Sequence, residues 1–152
     1  MSILNVKVEP ARSKELTFQI IRADNVLDWV VGISLIIVPD FFNRLLFGQE
    51  VISHWIYITL GVSFIWFASW QVENFLKERK LEVTTLRFSA ILVWASVLAL
   101  TIFLLSSLGS QVLLFTSIFL WLINVCMLAL GGWYWWMAEQ IREDQTPASH
   151  LG

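Results

Sequence analysis

Apolar residues in this chain come in long, nearly unbroken stretches separated by short charged blocks. Such a pattern has neither the two-residue alternation of a half-buried strand nor the single 3.6-residue stripe of a helix lying on a water-soluble core. Charged residues fall in blocks at 7–28, 73–87 and 139–144, with Asp40, Arg44 and Glu50 as a smaller group. Three stretches between the blocks, 52–75, 88–108 and 111–137, exceed the about 20 residues that a helix needs to cross the hydrocarbon of a bilayer.

The first stretch is less regular. Residues 26–38 are apolar apart from Asp28, but at about 20 Å they fall short of a bilayer. Pro39 lacks a backbone donor, so the helix either kinks there and runs on to Phe47 or stops and restarts with Pro39 in its first turn. In the segment that follows, Phe41, Phe42, Leu45 and Leu46 share one side and Asp40, Asn43 and Arg44 the other, with Gly48 as the stop. Residues 1–24 form a polar, mixed-charge segment unlike a signal peptide. They are either an interfacial helix capped by Ser13, with Leu16, Ile20 and Ile21 on its apolar side, or a loosely ordered tail. Residues 138–152 form a short tail.

Composition turns this pattern into a choice of solvent. Of 152 residues, 57% are hydrophobic and 14% charged, with nine Trp and eleven Phe. Soluble domains carry about 25% charged residues. The excess must coat the outside of the fold, and a lipid bilayer is the partner that accepts it. The net charge of −2 argues against nucleic acid, and the lone Cys126 against a disulfide scaffold. Lys7, Arg12, Lys14, Arg22, Lys77, Arg79, Lys80, Arg87 and Arg142 flank one side of the spans and only Arg44 the other, so both termini are expected in the cytoplasm. Trp133, Tyr134, Trp135 and Trp136 are expected at the inner interface, Trp55 and Tyr57 at the outer one.

Few residues could carry chemistry. Asp28 lies one turn into the first span; its shallow position favours pairing with Arg22 or Arg87 over proton transfer inside the protein. Asp40 and Arg44 are four apart and are expected to pair, as are Glu73 and Lys77. His54, with no second His on its side of the membrane, is expected near Asp40 or Glu50 and not as a metal or haem ligand. Asn124, deep in the last span, must hydrogen-bond to another helix. Ser117, Asn124 and Gly131 recur every seven residues as a packing stripe, and Ala95 and Ala99, with Gly61 on span two, offer close approach. No phosphate loop, metalloprotease motif or nucleophile elbow is present, and no cofactor is expected.

The run from Ala23-Asp24 through Val38-Pro39 to Asn43-Arg44-Leu45-Leu46-Phe47-Gly48, followed by three further spans, resembles small four-span bacterial membrane proteins, the DoxX-like and similar short families. The resemblance implies a multi-pass protein of a bacterial plasma membrane and supplies no catalytic residue. The expected fold is an all-α antiparallel four-helix membrane bundle. The leading expectation for function is a non-enzymatic packing or accessory component of a homo-oligomer or larger membrane complex. The alternatives are an oligomeric channel or carrier for a small solute or proton, and a lipid-, quinone- or pigment-binding redox subunit.

Overall fold

A computed structural model describes residues 10–145. Among these, five α-helices follow one another without a strand: α1 (Pro10–Ile37), α2 (Pro39–Phe47), α3 (His54–Gln71), α4 (Val83–Leu105) and α5 (Leu114–Gln145). A π-helical turn, Val72–Leu76, prolongs α3, and a 3-10 turn, Gly109–Gln111, precedes α5. Residues 10–24 and the first apolar stretch form one continuous helix of 28 residues. Ser13 therefore lies inside α1, where its carbonyl accepts a hydrogen bond from Thr17 Oγ1 at 2.8 Å, and caps nothing.

At Pro39 the chain stops and restarts. The residue before a proline is driven out of helical geometry, and Val38 sits at φ −128° and ψ 55°. Pro39 takes the first turn of α2, where its missing N–H is not needed. The two helices meet at 97°. Gly48, at φ 73°, ends α2 in the left-handed conformation with its N–H on Arg44 O at 2.9 Å.

The long helices pack as two antiparallel pairs. On α1 the buried residues Thr17, Ile21, Asn25, Asp28, Gly32 and Leu35 are spaced three or four apart and form one stripe. Gly32 and Gly61 bring α1 and α3 together backbone to backbone: a Cβ on Gly61 would lie 2.6 Å from the Gly32 carbonyl oxygen. In the other pair the Trp94 indole of α4 occupies the notch at Gly131 of α5, and Asn124 Nδ2 donates to Thr101 Oγ1 at 2.7 Å. Gly61, Asn124 and Gly131 thus serve close packing as expected. Ser117 is half-buried, while Ala95 and Ala99 are exposed and bring no other helix of the chain close.

The pairs join mainly at the end that carries the α1 N-terminus, the 77–82 connection and the α5 C-terminus, hereafter the terminal end. Ile21, Phe75, Leu86, Ala90, Val93, Tyr134, Met137, Ala138 and Ile141 form the buried core there. At the α2 end the last carbonyls of α2, which have no partner within their own helix, accept from the start of α5. Leu113 N–H donates to Leu46 O at 2.8 Å and Thr116 Oγ1 to Leu45 O at 2.7 Å.

Three helices are long and apolar enough to cross a membrane, and the bent α1–α2 pair counts as a fourth when taken as one span. Of the apolar stretches in α3, α4 and α5, only 22%, 22% and 17% of residues are buried. Helices that are apolar all round and yet mostly uncovered need a non-aqueous surrounding.

Candidate functional site

A polar cluster lies where α1, α3 and α5 meet. Asp24 and Asp28 are four apart on α1 and so share a face. Gln71 Nε2 donates to Asp24 Oδ2 at 2.8 Å, and the Tyr134 hydroxyl donates to the same oxygen at 3.1 Å. Asn25 Nδ2 donates to Ala68 O at 2.6 Å and to Gln71 Oε1 at 3.1 Å, so Gln71 is held from both sides. Two helical turns toward the N-terminus, Trp133 Nε1 donates to Thr17 Oγ1 at 3.2 Å.

Asp28 is 8% exposed, and its Oδ2 has no hydrogen-bond partner. Among the described residues neither Asp24 nor Asp28 is in an ion pair. The expected pairing of Asp28 with Arg22 or Arg87 is therefore corrected. Arg87 is drawn away by α5: its Nη2 lies 2.5 Å from Glu139 Oε1, and its guanidinium is 5.2 Å from the Trp135 ring centroid. Arg142 reaches the other Glu139 oxygen at 2.6 Å. The Arg87 hydrogen bond, aided by the nearby charges, holds Glu139 below the 4.5 of an ordinary glutamate.

Beside Asp28, three further buried polar atoms lack partners among the described residues: Arg87 Nε, Trp94 Nε1 and Asn124 Oδ1. All three lie where α4 packs on α5. Arg87, Trp94 and Thr101 recur every seven residues along α4 and face the matching repeat of Asn124 and Gly131 on α5.

The α2 end is built differently. Asn43, placed by the sequence on the polar side of α2, is fully buried. Its Nδ2 donates to Ile52 O at 2.7 Å, while Oδ1 accepts from Val51 N–H at 3.3 Å, Ile52 N–H at 3.0 Å and the Tyr57 hydroxyl at 3.1 Å. Tyr57 is thus a core residue and not an interfacial marker, whereas Trp55 is 75% exposed. Asp40 pairs with His54 and not with Arg44, because the 97° bend carries α2 across the start of α3. Asp40, Glu50 and His54 are grouped together, all exposed, with one potential ligand atom from each within 4.8 Å of the others. Glu73 and Lys77 pair at 3.3 Å as expected.

The aromatic run at 133–136 divides. Tyr134 is buried against Asp24 and Trp133 reaches Thr17, leaving Trp135 and Trp136 on the outside. The sequence does not single out Asn25 or Gln71, and it marks Tyr134 only as an interfacial aromatic. The usable signal was the three-to-four spacing of Thr17, Ile21, Asn25, Asp28 and Gly32, which puts a polar stripe on the packed face of α1. No family model, curated protein or solved structure matches this chain.

Proposed function

We propose that this chain is a four-crossing integral membrane protein that binds and passes a small cation, a proton included, at Asp24 and Asp28. The observation that carries the reading is Asp28 itself: a carboxylate 8% exposed, with one oxygen unpartnered and a second carboxylate one turn away. An ionisable group in the low-dielectric interior costs several kcal/mol unless it is paired, and one retained without a partner is a functional candidate. Because α1, α3 and α5 of a single chain build the site, no oligomer is needed to complete it. The Lys and Arg count supports the terminal end as the cytoplasmic one, which puts the carboxylates near the inner surface.

Proteoliposomes holding the purified protein test this reading. A proton, sodium or potassium flux that Asp28→Asn abolishes is the expected result. Wild-type protein that passes none of these cations, or a flux indifferent to the substitution, would sink it. The packing or accessory reading keeps one supporting observation, the exposed Ala95, Ser96 and Ala99 on α4. Crosslinking from those positions in native membranes to a second protein would favour it.

A further inference from the structure

Asp24 and Asp28 are one turn apart in unlike surroundings. Asp24 Oδ2 receives two hydrogen bonds, whereas Asp28 Oδ2 receives none. We infer that the group exchanged at this site is a proton, taken up and released by Asp28 while Asp24 stays ionised and positions it. This rests on the reading of the pair as a cation site.

The donors around the pair decide against a metal ion. A hard cation taken out of water replaces its hydration shell with about six or more oxygen ligands. The neutral oxygens that α3 presents beside the pair already accept hydrogen bonds: Ala68 O and Gln71 Oε1 each take one from Asn25. What Gln71 and Tyr134 point at Asp24 is an N–H and an O–H. A cluster whose neutral side chains aim hydrogens at Asp24 suits a proton better than a metal ion. A proton needs one oxygen, and Asp28 Oδ2 is free to take it.

Electrostatics assigns the proton between the two. Two carboxylates one turn apart, Asp28 buried and Asp24 half-buried, with no cation beside them do not both ionise, and the one with donors keeps the charge. The ionisable groups bearing on Asp28 are Asp24 on its own helix and Tyr134 on α5. The α3 side presents Gln71, which is neutral, and Arg87 of α4 is bound to Glu139. On uptake an O–H bond forms at Asp28 from a hydronium ion, leaving water. On release that bond breaks, its electron pair stays on the carboxylate, and the proton returns to water.

Dicyclohexylcarbodiimide, which attacks protonated carboxyl groups in apolar surroundings, tests this on the full chain in membranes, with the adduct located by mass spectrometry. The expected result is labelling at Asp28 that declines as pH rises and is unaffected by sodium, potassium or magnesium. Asp28→Asn abolishes it. Asp24→Asn, which removes the like charge, moves the labelling profile to lower pH, and an unmoved profile overturns the positioning role. Tyr134→Phe takes a donor from Asp24 and sends part of the label there. Protection of Asp28 by a metal cation overturns the proton assignment and leaves the cation site standing. No label at Asp28 at any pH overturns both.

Discussion

Asn43 and Asp28 are both buried polar side chains, and the fold treats them in opposite ways. Asn43 makes one bond with its amide nitrogen and three with its oxygen, all within the α2–α3 corner. Asp28, in the polar cluster nearer the terminal end, keeps an oxygen without a partner. Neighbours that close around a polar group and use its hydrogen-bonding capacity turn it into a structural pin. A group left unsatisfied beside another carboxylate adds nothing to stability, and its retention points to use. Burial alone does not separate the two cases; the hydrogen-bond inventory does.

Substitution at the two positions puts the contrast to its hardest test. Asn43→Ala leaves the Val51 and Ile52 amides and the Tyr57 hydroxyl without their acceptor and is expected to cost about 3 kcal/mol. Asp28→Asn is expected to shift stability by less than about 1 kcal/mol. Unfolding in mixed detergent micelles measures both, and equal costs would make Asp28 structural. Next in size is Gly61→Val, which forces a side chain against Gly32 and is expected to cost about 2 kcal/mol and to reduce flux by displacing the α1 stripe. Gly132→Ala, with open space around it, is the neutral control.

Tyr134→Phe removes one of the two donors to Asp24 and is expected to cost about 1 kcal/mol, because Gln71 still serves that oxygen. A loss as large as that of Asn43→Ala would show the two ends to be equally structural. Asn124→Leu lies between these classes. It forfeits the bond to Thr101 but also removes an unpartnered oxygen, so stability should change by less than about 1 kcal/mol in the same assay. The smallest effect is at Glu139. Its depressed titration means that its contribution is complete above 4.5 and is lost as pH falls through the lower value it has in the folded protein. Glu139→Gln should lower stability slightly on the neutral side, leave the acid side little changed, and so flatten this part of a pH series of stability measurements.

Much of this architecture was legible along the chain. The apolar stretches locate α3, α4 and α5, Pro39 marks the break, and Gly48 marks the stop, because these depend on local backbone chemistry and on hydrophobic length. His54 beside Asp40 and Glu50 was also within reach, since all three flank one short connection. The partners of individual polar groups were not. Asp40 with Arg44 is the best pair on an isolated helix, yet a 97° bend gives Asp40 to His54. Arg87 is near enough in hydropathy register to serve Asp28, yet Glu139 claims it across the α4–α5 seam.

The sequence by itself determined the apolar excess, the number of apolar stretches and the place where the first helix fails, because transfer free energy and proline geometry act residue by residue. Only the tertiary structure decided which helix pairs with which, that Tyr134 and Asn43 turn inward, and that Asp28 stands without a partner. Hydrogen bonds and ion pairs between helices depend on a few ångströms of relative placement. That placement is set by close contacts such as Gly32 on Gly61 and Trp94 on Gly131, whose partners are far apart in the chain.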